Sequence, residues 1–112
     1  MKAINILEQA VLLAGGTTPD ETLKKAAVSI INTVLTDLGE KNIGSLADDM
    51  SFSSLGMLTV LTSGVAMLLA ILWGDDEGAA RLSDLYNSSR RQALGKISKV
   101  RTTLFGGEQN EA

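Results

Sequence analysis

Apolar residues recur at spacings of three and four along the first forty residues, which is the period of a helix packed on a core. One such run covers residues 3–14 and a second covers residues 18–38, and glycine follows each of them. At the start of the second run, Thr18, Pro19 and Glu21 have the spacing of a capping box, with proline in the first helical turn. The pattern therefore predicts two amphipathic helices separated by a short turn.

Two more helices are predicted in the second half of the chain. Residues 39–53 form a polar connection with four apolar anchors: Ile43, Leu46, Met50 and Phe52. An uncharged run then extends from about residue 54 to Trp73, and an acidic start leads into a helix over residues 77–94. Residues 96–105 alternate polar and apolar side chains and predict an extended arm. The expected fold is a small all-α four-helix bundle, residues 1–95, with an extended C-terminal arm and mobile tail, residues 96–112.

The uncharged segment, residues 55–73, has the length of a membrane span. Acidic residues flank it on both sides, whereas a span usually has lysine or arginine near one end. A central helix buried on all sides explains the same run without lipid, and Gly64 and Ala66 would let neighbouring helices approach closely. We therefore expect a core helix and no membrane. The amino terminus resembles a signal peptide, but Asn5, Glu8 and Gln9 interrupt its apolar run, and mature protein is expected.

Composition excludes several kinds of site. The 112-residue chain has no cysteine and no histidine, so it has no disulfide, no histidine base and no zinc site built from these residues. Carboxylates cluster at residues 48–49 and 75–77, but without the alternating spacing of a calcium loop. Residues 15–18 precede a helix but lack the lysine of a phosphate-binding loop. The sequence thus predicts neither catalysis nor a cofactor.

The net charge of −3 is unevenly distributed along the chain. Residues 1–84 have five basic and eleven acidic side chains, whereas residues 85–105 have five basic and none acidic. Such a basic segment is typical of contact with an acidic protein surface or with nucleic acid, and also of a solvated helix end whose cations complement the helix dipole. The charge pattern alone leaves these interpretations open.

A motif that combines small, apolar, aromatic and basic residues begins in the uncharged segment. Gly64, Val65 and Ala66 open an apolar helix, a break follows at residues 74–75, and the next helix has tyrosine and asparagine at 86–87 and arginine at 90–91. In this order, residues 63–94 resemble the head–tail connector proteins of long-tailed bacteriophages, also called head-completion or adaptor proteins. Residues 31–39 and 98–105 are similar to the family as well. Ser63 departs from the pattern, since a tyrosine often precedes the glycine there.

The resemblance implies a structural virion protein, not an enzyme, which assembles in the host cytoplasm and lies at the head–tail interface. It implies a homo-oligomeric ring beneath the portal protein, dodecameric if it matches the portal. The ring would extend the DNA channel, let DNA pass without sequence-specific binding, and provide a platform for the tail or the next connector. A ring of this kind needs two unlike, complementary faces on each subunit.

Three groups of residues are candidates for these roles. The portal- or partner-binding arm comprises Lys96, Lys99, Val100, Arg101, Leu104 and Phe105. The subunit-interface candidates are Tyr86, Asn87, Arg90 and Arg91. The channel-facing acidic candidates are Asp75, Asp76 and Glu77.

Two other functions fit parts of the sequence. Residues 55–73 would serve as the span of a small membrane protein, such as a phage lysis accessory. The basic residues of the segment 85–105 would serve a small nucleic-acid-binding regulator, against which count the overall acidity and the lack of a clear helix-turn-helix pattern. Solubility without detergent separates the first alternative from the connector, and salt-sensitive DNA binding separates the second.

Overall fold

The computed structural model describes residues 1–52 and 55–104, and within them the fold is all-α, as predicted. Four helices follow in chain order: α1 (Ala3–Leu13), α2 (Glu21–Asp37), α3 (Leu55–Leu72) and α4 (Asp76–Leu104). In the described part of the chain, extended pairing is limited to one isolated bridge between Lys2 and Asp49. The helices form one small bundle.

The uncharged helix α3 lies at the centre, which confirms the predicted core helix. It packs against each of the other three helices. Its buried side chains include Leu61, Val65 and Leu69, which are fully inaccessible to solvent. The buried polar Ser63 donates its hydroxyl to the Val60 carbonyl oxygen at 2.9 Å, so its burial leaves no donor unpaired. An apolar, uncharged sequence is what a helix with three neighbours requires.

The connection between α2 and α3 provides hydrogen-bond acceptors for the amino-terminal end of α1. Within the described residues, the cap position Lys2 makes no side-chain hydrogen bond to this helix. Instead, the free amides of Ala3 and Ile4 donate to the carbonyl oxygens of Asp48 and Leu46, each at 2.9 Å. Backbone carbonyls thus satisfy donors that a helix start leaves unpaired. The four predicted anchors hold the connection in place, because they lie buried or half-buried against the core: Ile43, Leu46, Met50 and Phe52.

The predicted cap of α2 was wrong by two residues. Asp20, not Thr18, occupies the cap position, and its Oδ1 accepts the Leu23 amide at 2.7 Å. An ionised carboxylate is a stronger acceptor than a hydroxyl and also complements the helix dipole. The predicted carboxyl-terminal end of this helix is correct: Gly39 follows it with φ +73°.

A short turn joins α3 to α4. Gly74 adopts φ +74°, and the Asp75 amide donates to the Ala70 carbonyl oxygen at 2.9 Å, which closes the end of α3. Asp75 then caps α4, because its Oδ1 accepts the Gly78 amide at 3.0 Å. The two helices therefore form a helical hairpin whose turn contains the acidic residues.

The structure differs from the prediction over residues 96–104. An extended arm was expected there, whereas α4 continues as a helix to Leu104. The apolar residues Ile97, Val100 and Leu104 recur at spacings of three and four, and this helical period outweighs the local alternation with polar residues. Gly95 does not end the helix. Residues 105–112 lie outside the described residues.

Candidate functional site

The subunit-interface candidates on α4 divide into two pairs. Tyr86 is buried, and Arg90 is half-buried beside it. Asn87 and Arg91 are exposed. Asn87 and Arg91 are therefore the accessible pair, whereas Tyr86 and Arg90 face their own chain.

Tyr86 and Arg90 both bind Asp37, the last residue of α2. The Tyr86 hydroxyl donates to Asp37 Oδ2 at 2.5 Å, and Arg90 Nε donates to the same oxygen at 2.9 Å. An Arg90 guanidinium nitrogen also donates to the Asp37 carbonyl oxygen at 3.3 Å. These bonds fix the end of α2 against the middle of α4.

Burial is the main cause that raises the pKa of the Tyr86 phenol well above its ordinary value of 10, and the hydrogen bond to Asp37 raises it further. The Arg90 charge acts in the opposite direction but is outweighed. Tyr86 therefore stays neutral at physiological pH. It acts as a hydrogen-bond donor and a packing group.

Asp37 was not predicted as a site residue, although the sequence contains a signal for it. A carboxylate at the carboxyl end of a helix is repelled by the helix dipole and needs a compensating cation or donor. Asp37 occupies that position at the end of the best-defined amphipathic run. Its ion pair with Arg90 is partly exposed, at 51% and 34% of the two side chains, so it contributes about 1 kcal/mol or less.

The channel-facing acidic candidates lie together at the start of α4. Asp75 caps the helix, while Asp76 and Glu77 occupy its first turn, and all three are exposed. In the searched part of the chain, no group of three His, Cys, Asp or Glu side chains is placed to hold a metal ion. The three carboxylates form an exposed negative patch next to the hairpin turn.

An exposed apolar surface lies beside this patch, and the sequence analysis did not identify it. Trp73 lies next to the turn after α1, since a Cβ built on Gly16 would be 3.1 Å from Trp73 Cη2. The last turns of α1 and α3 therefore meet at one end of the bundle. Five side chains there are 37–62% exposed, and we call them the apolar end: Leu12, Leu13, Ile71, Leu72 and Trp73.

The origin of the apolar end follows from the sequence of α3. The helix is apolar on every side, whereas α1 has only eleven residues and covers a short part of it. Ile71 and Leu72 are consecutive and point in directions about 100° apart, so one short neighbour leaves part of this turn uncovered. The signal in the sequence was the apolar run continuing up to Gly74 without a polar face.

The predicted arm residues lie at the other end of the α3–α4 hairpin. Lys96, Lys99, Val100, Arg101 and Leu104 are part of α4. Phe105 lies outside the described residues. The structure thus separates an acidic and apolar region at the start of α4 from a basic segment at its end.

A polar cleft of about 430 Å³ lies where the connection folds back on itself. Residues 40–43 and 48–52 line it together with Leu35. Asp48 uses Oδ2 to accept the amides of Gly44 and Ser45, at 2.8 and 3.1 Å, so this carboxylate is engaged in shaping the loop. The cleft is formed by the same connection whose carbonyl oxygens pair with the first amides of α1.

No helix in the described part of the chain is long and apolar enough to cross a membrane. Comparison with known proteins found no match to a family model, a curated protein or a solved structure.

Proposed function

We propose that the chain is a head–tail connector subunit of a tailed bacteriophage, which forms a ring below the portal, extends the DNA channel and supports the tail. The observation that carries this proposal is the presence of two unlike surfaces on one small helical subunit. One combines the apolar end with Asp75, Asp76 and Glu77. The other is the basic segment at the end of α4.

The architecture supports a mechanical role. A closed ring requires a heterologous contact, in which one face of a subunit meets a different face of the next. A helical bundle centred on an uncharged helix lies between the two faces. The sequence resemblance described above, which includes Gly64, Tyr86 and Arg90, supports the same assignment.

The acidic residues suit a DNA channel. Negative charge on a channel wall repels the DNA backbone, so the duplex passes without binding. Among the described contacts, the Asp76 and Glu77 side chains have no ion pair, and both residues lie at the positive end of α4. In the proposed ring they lie at the rim of the lumen, beside the contact between subunits.

Interrupting the gene in the encoding phage tests this function. A connector mutant should package DNA normally and accumulate filled heads and free tails that do not join, because assembly stops between the two. The protein should also be found in purified virions by mass spectrometry, at the copy number of a ring. Wild-type numbers of joined particles in the mutant, or absence of the protein from virions, would contradict the proposal.

A further inference from the structure

The apolar end has the composition of a docking surface. Leu12 and Leu72 are each 62% exposed, Ile71 is 59% exposed and Trp73 is 45% exposed. Exposed apolar patches mark interaction sites, and tryptophan is among the residues that dominate binding energy. An occupant must therefore bring apolar side chains.

Charge restricts the occupant further. Asp75, Asp76 and Glu77 follow Trp73 directly and are exposed beside it. An approaching acidic segment would be repelled, whereas a basic one would be attracted and steered into place. The expected occupant is thus both basic and apolar.

The chain itself contains one segment of this composition. Residues 96–104 combine Lys96, Lys99 and Arg101 with Ile97, Val100 and Leu104, and they have no acidic residue. They continue α4 as a helix, and helices dock into apolar surfaces through residues spaced three and four apart.

A single subunit cannot make this contact within itself. Helix α4 has 29 residues and begins beside the apolar end. At about 1.5 Å per residue, its far end lies roughly 40 Å from its start. The helix is also longer than the 18-residue α3 with which it forms a hairpin. Residues near Leu104 therefore lie far from the apolar end of their own chain.

We propose that residues 96–104 of one copy bind the apolar end and the adjacent carboxylates of a second copy, head to tail. The two faces are different, so every copy uses both, and the contact repeats from subunit to subunit. As the subunit interface of a connector ring, this contact rests on the proposed function, but it also stands as a self-association on its own. The same segment was a candidate for binding the portal. The complementary surface on this chain favours the second copy.

Complementary charge reversal tests the contact. One variant carries Asp76→Lys and Glu77→Lys, and the other carries Lys99→Glu and Arg101→Glu. Each variant alone juxtaposes like charges, so we expect its self-association, measured by sedimentation over a concentration series, to weaken roughly tenfold or more. An equimolar mixture restores an attractive pair at every contact and should recover the mass of the wild-type assembly. The control Lys25→Glu with Lys41→Glu, at exposed positions elsewhere, has the same net charge change as the Lys99→Glu, Arg101→Glu variant and should associate like the wild type.

Cysteine cross-linking provides a second measurement that does not depend on charge. The chain has no native cysteine. Mixing Leu72→Cys with Val100→Cys chains under mild oxidation should give a disulfide-linked dimer, while Leu72→Cys mixed with Ser29→Cys, an exposed position on α2, should not. The circular dichroism signal of the helices shows whether each variant folds.

The outcomes separate this contact from the proposed function. Failure of the mixture to recover assembly, together with no cross-link between positions 72 and 100, would overturn the contact while leaving portal binding to be measured. Cross-linking of position 100 to the portal protein but never to position 72 would also overturn it. Recovery and cross-linking by a chain that ignores portal rings would uphold the contact and contradict the connector function.

Discussion

The ring of Tyr86 lies directly against the backbone of Gly64. A Cβ built on Gly64 would be 2.7 Å from Tyr86 Cε1 and equally close to Cγ1 of Val34. Three helices therefore meet at one residue that has no side chain: α3 carries the glycine, α4 the tyrosine and α2 the valine. Because Tyr86 also binds Asp37, this junction fixes the positions of α2 and α4 against α3.

Replacing Gly64 with alanine should destabilise the fold. The added methyl group overlaps two well-packed side chains, and such overpacking costs about 1–3 kcal/mol, which outweighs the gain of up to about 1 kcal/mol in helix propensity. Urea unfolding followed by circular dichroism measures the difference. Gly56, exposed near the start of the same helix, is the matched control, and its alanine variant should be neutral or more stable. Equal effects at the two positions would contradict the close packing.

Stability should fall at high pH because of Tyr86. Its pKa is raised in the folded state, so folding favours the neutral phenol, and this contribution is fully present below the unfolded pKa of about 10. As pH rises beyond that value, the unfolded chain loses its proton first, and stability should fall by about 1.4 kcal/mol per pH unit until the folded pKa is reached. Unfolding midpoints measured between pH 8 and 11 test this.

The chain has one tyrosine, so its phenolate absorbance reports this group alone. The Tyr86→Phe variant should lose about 1 kcal/mol at neutral pH, since a hydrogen bond to a partly exposed carboxylate is removed. It should also lack the part of the alkaline destabilisation that comes from the phenol. The same steep decline in both proteins would assign it to lysine titration instead.

Replacing Asn32 should destabilise the fold more than replacing an asparagine at the surface. Its side-chain amide donates to the Ile43 carbonyl oxygen at 3.0 Å and accepts the Ile43 amide at 2.8 Å, as a paired strand would. Asn32→Ala leaves both backbone groups unpaired and should cost about 1–3 kcal/mol. The control Asn42→Ala removes only a 3.3 Å contact with Thr36 at the surface and should cost less than about 0.5 kcal/mol. Similar unfolding midpoints for the two variants would refute a special role of Asn32.

Charge and capping can be separated at the start of α4. Asp75→Asn keeps an acceptor for the Gly78 amide, whereas Asp75→Ala loses it and should lower the free energy of unfolding by about 1 kcal/mol.

Reversing the charge at Asp76 and Glu77 leaves the cap of α4 intact. If these residues also line the channel, that reversal should slow DNA ejection, measured as the rate of DNA release from particles. It is combined with Lys99→Glu and Arg101→Glu in the same chain, so that the contact between subunits stays attractive. An unchanged rate in correctly assembled particles would remove the channel role.

Helix positions were predictable because hydrophobic period and glycine stops are local properties of the sequence. The central place of α3 was predictable for a similar reason, since an uncharged run needs neighbours on all sides. The end of α4 was not predicted, because the 96–104 segment satisfies both an alternating and a helical pattern. The cap of α2 was misplaced because Thr18 and Asp20 both have capping chemistry, and only the three-dimensional path of the turn selects between them.

The site was less predictable than the fold. Tyr86 and Arg90 were identified as important, but their shared partner Asp37 is 49 and 53 residues away along the chain, and such pairing depends on helix packing. The apolar end was missed for the same reason. Whether Leu72 and Trp73 are covered depends on the length and placement of α1, which no local pattern specifies.

Light scattering of the purified chain, alone and with portal rings encoded in the same genome, tests the connector function most directly. Portal rings should gain a fixed mass at saturation, equal to a whole ring of subunits and dodecameric on a twelvefold portal. The two charge-reversed chains should restore this gain only when mixed. A chain that adds no mass to the portal, forms a compact dimer that ignores it, or stays in solution only with detergent would contradict the central claim.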